Sequence, residues 1–284
     1  MRRMNKPSGF LRLIRPLNCV MMGFAVIVGA SLVASLNVSA NLLLGFITSF
    51  ALTGASMAIN DYYDRAIDAI NEPQRPIPSG AVSPKEALSV AAILSILGFV
   101  AAAGTNFPDF SCLGVAAIAW ILSVTYVTRG KRTGFVGNLL VSTCVVIPII
   151  YGSFVVQDPQ VAIVLFTVIA FLSVTGREIA KGIVDVEGDQ AQDIGTIAVR
   201  HGEKTAAVAS SAFLAFAVAL TPLPWVLGLV SPWYLPFAIM TDVGLIWSCI
   251  ALLRDASRDN ARRVKNQILL WFIVGLVAFI SGTF

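Results

Sequence analysis

Residues 60–80 read NDYYDRAIDAINEPQRPIPSG. Asp61, Asp64 and Asp68 fall within nine residues, and Arg75 follows with two prolines, Pro76 and Pro78. The surrounding sequence is almost free of charge. Hydrophobic residues make up 57% of the 284-residue chain and charged residues 13%, and the mean hydropathy is +0.81. Soluble domains carry about 25% charged residues, so composition alone points to a polytopic membrane protein.

Working outward from this stretch, nine apolar segments are long enough to span a bilayer, which takes about 20 residues each. They lie near residues 17–37, 41–60, 85–104, 109–127, 134–156, 159–181, 204–221, 233–253 and 264–282. Several boundaries have local causes. Ser83, Pro84 and Glu86 supply an N-cap, a first-turn proline and a capping-box partner. Asp158–Pro159 gives a second cap-then-proline signal. TPLPW and SPW break the chain between the seventh and eighth spans.

Lys and Arg positions support the same count. All 20 fall in the N-terminal segment, around the ends of spans two and six, or in the links after spans four and eight. The alternate links, NVSAN, TNFPDF, VQDPQ and TPLPWVLGLVSP, have none. The positive-inside rule therefore predicts a cytoplasmic N-terminus and an outside C-terminus in a multi-pass cell-membrane protein. The basic N-terminal stretch lacks a short apolar core with a cleavage site, so it reads as a mature cytoplasmic end. A net charge of +4 spread over short loops is no nucleic-acid signature. Cys19, Cys112, Cys144 and Cys249 lie in apolar runs without a CxxC pair and read as buried apolar residues.

The acidic stretch has a twin. REIAKGIVDVEGDQAQD, after span six, places Asp185, Asp189 and Asp193 four residues apart, and 121 residues separate both Asp64 from Asp185 and Asp68 from Asp189. Four spans intervene, so both halves share one orientation. The chain reads as a parallel internal repeat, spans one to four and five to eight with the ninth added, in one intramembrane domain over residues 1–284. Residues four apart share a helix face, so each motif would form a carboxylate column. Two carboxylates about 6 Å apart repel by roughly 3 kcal/mol at an effective dielectric near 20. Hard oxygen ligands without His or Cys suit Mg²⁺ accompanied by phosphate oxygens. The pattern suggests a Mg²⁺–diphosphate site at the cytoplasmic mouth of a helical bundle.

A single DxxxD on a cytoplasmic helix is ordinarily solvated surface; two matched columns beside basic residues point further. Arg177 and Lys181 could be snorkelling anchors, but they continue the four-residue series of Asp185 and Asp189, which favours binding an anionic substrate. Arg129, Lys131 and Arg132 read mainly as topology determinants, with a phosphate contact as the alternative. His201, the only histidine, falls in the loop RHGEK. Asp242 falls inside span eight, where a charge is costly; a structural hydrogen bond is the expected role.

NDYYDRAID has the form NDxxDxxxD and DVEGD the form DxxxD. With nine spans and these motifs after the second and sixth, the chain resembles the UbiA superfamily of intramembrane prenyltransferases over nearly its whole length. The resemblance implies an all-α bundle in which Asn60, Asp61, Asp64 and Asp68, with Asp185 and Asp189, hold Mg²⁺ and an isoprenyl diphosphate. Asp193 extends the second motif. Asp64, Asp68, Asp185 and Asp189 are the implied catalytic set, and Asn18, Asn60, Arg75, Arg129, Lys131, Arg177 and Lys181 the candidates for substrate binding. Within the superfamily, residues 60–80, GREIAKGIVDVEGD and RPLNCVMMG (15–23) are most similar to the archaeal ether-lipid branch, which adds a second geranylgeranyl chain to a glycerol phosphate lipid. Gly182 and Val184 depart from the more acidic KDIEDVEGD expected there. Other readings are an aromatic acceptor in quinone or chlorophyll synthesis, a cation transporter, and a phosphoalcohol transferase, whose DG-containing acidic signature is missing. Oligomeric state is not encoded in any recognisable motif.

Overall fold

The computed structural model describes residues 5–34 and 39–284. Arg2, Arg3 and the expected end of the first span, residues 35–37, lie outside the described residues. Among the described residues, nine helices are long and apolar enough to cross a membrane.

The first span has two parts, α1 (Lys6–Ile14) and α2 (Pro16–Ser31). Asn5 caps α1 by accepting from the Ser8 amide at 3.0 Å. Proline disfavours helical geometry in the residue before it, which breaks the span at this point; Arg15 takes a left-handed conformation with φ 50°, and Pro16 opens α2. The second span, α3 (Ala40–Asn71), is a single helix of 32 residues. At 1.5 Å per residue that is about 48 Å, longer than a hydrocarbon core of about 30 Å, so Asp61, Asp64 and Asp68 lie on the helix that crosses the membrane. α4 (Pro84–Gly104) starts with the expected capping box: Ser83 Oγ accepts from the Glu86 amide at 3.2 Å, and Glu86 accepts from the Ser83 amide at 2.8 Å. α5 (Ser111–Thr128) leads through a 3₁₀ turn, Gly130–Thr133, into α6 (Phe135–Val155).

α7 (Ala162–Val184) departs from expectation at both ends. It starts three residues after Pro159, because Gln157 turns left-handed and Asp158 holds the turn by accepting from Gln160 at 2.8 Å instead of capping. It ends at Val184, and after Asp185 a short helix, α8 (Val186–Ala191), follows. α9 (Ile197–His201) and α10 (Glu203–Leu220) come next, then α11 (Leu223–Val226), α12 (Tyr234–Arg254) and α13 (Arg258–Ser281). Ser257 caps α13 six residues earlier than the apolar run suggests.

The neighbour pattern repeats between halves. α2·α3, α3·α4 and α4·α5 contacts recur as α6·α7, α7·α10 and α10·α12, and α13 closes against α12, α7 and α2. The halves join most closely where α2 meets α6. A Cβ on Gly29 would run into the Ile149 carbonyl, and one on Gly152 into that of Val26, so the two backbones touch. Links at the basic end are tied across the bundle: Lys6 pairs with Glu86 at 2.6 Å and Arg258 with Glu187 at 2.6 Å. At the opposite end, Asn106 donates to the carbonyls of Phe154 and Val155, each at 3.0 Å. Asp242 accepts from the Thr221 hydroxyl at 2.6 Å, while its second oxygen is buried without a partner among the described residues.

Candidate active site

A cavity of about 1390 Å³ runs down the bundle from the basic end. Drug-sized sites occupy about 300–1,000 Å³, so this one suits a longer ligand. Asp64 and Asp68 of α3 form one side of its mouth, and Asp185 and Asp189, at the α7–α8 junction, form another. Every α3 wall residue from Thr48 to Asp68 has a wall residue 121 positions later, from Ile169 to Asp189. The internal repeat is therefore written into the wall itself.

The two carboxylate sets differ in their surroundings. The first is neutralised by the protein's own cations. Arg75 pairs with Asp68 at 2.7 Å and reaches Asp61 at 3.8 Å; Arg15 pairs with Asp61 at 2.8 Å; Lys131 pairs with Asp64. The second set is bare: among the described residues, neither Asp185 nor Asp189 is in a salt bridge. Burial, followed by the charge of Asp185, pushes the Asp189 carboxyl up to about 6. The backbone ladder continues through the break, with the Asp185 amide on the Lys181 carbonyl at 3.1 Å and the Asp189 amide on that of Asp185 at 2.9 Å. The four-residue spacing thus keeps its direction without a continuous helix.

Most of the expected site residues reach the cavity. Asn18, Asn60, Arg75, Lys131, Arg177 and Lys181 all line it. Three do not. Asp61 is 2% exposed and lies behind the wall, held by Arg15 and Arg75. Asp193 turns away: its φ of 55° ends the helical course, and its side chain is exposed. Arg129 faces a separate recess beside Tyr63, because the 3₁₀ turn directs Lys131 inward instead. His201 is exposed and off the wall. The carboxylates lie at one end of the cavity, away from its middle.

Other wall residues lacked a clear signal. Arg15 gains its role from the left-handed turn before Pro16. Glu178, hidden in REIAK, accepts from Arg177 at 2.8 Å and lies 3.6 Å from Lys181, which fixes both cations on the wall. Arg177 Nε remains buried and unpartnered among the described residues, a donor ready for an oxyanion. Asn138 lines the cavity 120 residues after Asn18, a spacing close enough to that of the acidic motifs to have flagged it.

The sequence profile of the UbiA prenyltransferase family matches residues 22–276. The chain belongs to the UbiA prenyltransferase family. Curated UbiA relatives cover it almost end to end. It is 34% identical to the digeranylgeranylglyceryl phosphate synthase of Hyperthermus butylicus over 99% of this chain and 98% of the relative. It is 36% identical to that of Methanopyrus kandleri over 96% and 98%. A solved digeranylgeranylglyceryl phosphate synthase structure superposes with a TM-score of 0.82 at 29% identity, covering 99% of both chains. A UbiA homologue from Archaeoglobus fulgidus bound to GPP and Mg²⁺ shares the fold with a TM-score of 0.68 at 20% identity, over 96% of this chain and all of that one. Membership in a prenyltransferase family, with carboxylates confined to the mouth, replaces the transporter and phosphoalcohol-transferase readings.

Proposed function

We propose that this UbiA protein is a Mg²⁺-dependent prenyltransferase of archaeal ether-lipid synthesis. It moves the geranylgeranyl group of geranylgeranyl diphosphate to the free hydroxyl of geranylgeranylglyceryl phosphate. The observation that carries this reading is the paired carboxylate mouth above a deep apolar well, in a chain whose full-length relatives bear the synthase name. The donor set fits the cation. Asp64, Asp68, Asp185 and Asp189 offer hard oxygens, and among the described residues no three acidic, His or Cys side chains form a finished metal cage. Mg²⁺ is held in this way, by one or two carboxylates completed by phosphate oxygens and water. When bound, it neutralises diphosphate charge and makes the group a better leaving group.

The chain's own residues do the rest. Arg75, Lys131 and Arg15 stand where they can turn from their carboxylates to diphosphate oxygens and stabilise the charge that develops there. Arg177 and Lys181 hold the acceptor phosphate through charge-assisted bonds. The donor's C1–O bond breaks, the acceptor oxygen bonds to C1, and the hydroxyl proton leaves. The apolar wall below keeps water from competing with the acceptor. The basic end, and with it the mouth and N-terminus, faces the cytoplasm, in keeping with its Lys and Arg residues.

A donor–acceptor matrix with purified protein and Mg²⁺ tests the reading. Geranylgeranylglyceryl phosphate is expected to be a good acceptor and hydroxybenzoates poor ones. Efficient prenylation of an aromatic acid, with the glycerol phosphate lipid ignored, would overturn the acceptor assignment.

A further inference from the structure

Towards its far end the cavity has walls on both sides of the α2–α6 seam. The Gly29–Gly152 contact makes α2 and α6 a partition one backbone thick. On one side, Val26 and Ala30 of α2 pack with Leu52, Ala116 and Tyr151. On the other, Val28 packs with Ile169, Tyr234, Ala238 and Phe279. Both clusters contribute walls to the same cavity. A first lobe thus lies among α3, α5 and α6, and a second among α7, α12 and α13.

We infer that the two lobes are two isoprenoid sites: the first takes the donor's chain, and the second takes the chain the acceptor already carries. The inference rests on the proposed transfer between two isoprenoid substrates.

Depth supports it. Thr48 and Ile169, the deepest wall residues of α3 and α7, each lie sixteen residues from the mouth carboxylates Asp64 and Asp185. At 1.5 Å per residue both lobes are about 24 Å deep. A geranylgeranyl group has a sixteen-carbon main chain and extends roughly 19 Å at about 1.5 Å per bond, foreshortened by its zigzag. Each lobe accommodates one such chain below a phosphate group.

Charge assigns the lobes. At equal depth in the repeat, Ser56 and Asn60 of the first half stand where the second half has Arg177 and Lys181. The acceptor phosphate belongs beside those two cations, and its chain descends on that side. The donor's first carbon becomes electron-poor as its bond to oxygen breaks, so the neutral wall suits it better. The floors also differ. In the second lobe the Tyr234 hydroxyl donates to the Thr221 carbonyl at 2.8 Å. In the first, the Tyr151 hydroxyl is buried and unpartnered among the described residues. A longer donor chain would press against that hydroxyl, which makes Tyr151 the stop for donor length.

Ala116 and Ala238 line corresponding walls of the two lobes. Ala116→Leu should cut kcat/KM for the C20 donor at least tenfold, favour the C15 donor, and leave acceptor chain preference unchanged. Ala238→Leu should do the reverse. A donor with a diazirine at its far end, bound to the unmodified protein, should label α3, α5 or α6; this arm needs no variant to fold. Label on α12 or α13, or both variants shifting preference for the same substrate, overturns the lobe assignment while the reaction stands. A wild-type protein that leaves every glycerol phosphate lipid unprenylated overturns the reaction itself, and the assignment with it.

Discussion

Asp61 and Asp64 are three residues apart and sit in different surroundings. Asp64 is on the cavity wall; Asp61 is behind it, bonded to Arg15 and Arg75. Asp64→Ala and Asp185→Ala should each abolish turnover in protein that still purifies folded; near-wild-type rates at saturating Mg²⁺ would sink the two-sided mouth. Asp61→Asn should leave Arg15 without the carboxylate that positions it at the wall, while Arg75 stays on Asp68, and should raise the donor KM, leaving the Mg²⁺ concentration for half-activity in place. A clear shift in that concentration would instead make Asp61 a ligand. Lys181→Met should raise the acceptor KM several-fold more than the donor KM, measured by varying each substrate in turn. The motif spacing made Asp64, Asp68, Asp185 and Asp189 legible from sequence, because a four-residue period survives even the break at Asp185. It could not separate Asp61 from Asp64, since one helical residue's rotation decides which faces the cavity. Nor could it reveal Arg15, whose position depends on a backbone turn.

Among the elements, the starts of α3 and α4 were the most legible, while α3 runs on to Asn71, eleven residues past the apolar run that ends at residue 60. Both starts are fixed by local chemistry: Ser39 caps one and the Ser83–Glu86 box the other. α7 was less so, because Asp158–Pro159 looks like a helix start and instead forms a turn closed by contacts from α6. The α2–α6 seam left no pattern in hydropathy. Small residues at membrane helix interfaces allow backbones to approach closely, and only the folded arrangement shows which glycines do so. Gly29→Ala should force α2 and α6 apart, a form of overpacking that costs about 1–3 kcal/mol. Thermal unfolding in detergent should show a lowered midpoint, and Gly152→Ala should behave alike. An unchanged midpoint for both would mean the seam yields easily.

The whole molecule is two similar halves plus a ninth helix. Spans, repeat and basic end were all readable, because each follows from length, period or charge along the chain. The division of the well was not, because it arises from contacts between halves 120 residues apart. The mouth has a further property at this scale. On its first side, each carboxylate already holds an Arg or Lys. It behaves as an ion exchanger loaded in its internal-salt form. At that first side a divalent cation arriving alone must strip a carboxylate of its partner and strand a Lys or Arg, and a diphosphate arriving alone strands the carboxylate. Arriving together, they exchange partners and leave nothing stranded. Each should therefore tighten the other's binding by the same factor, about fivefold or more. Calorimetric titrations of Mg²⁺ with and without a non-reactive diphosphate should show it. Equal affinities in the two titrations would mean that the resident Arg and Lys stay where they are, and that the incoming salt is accommodated beside them.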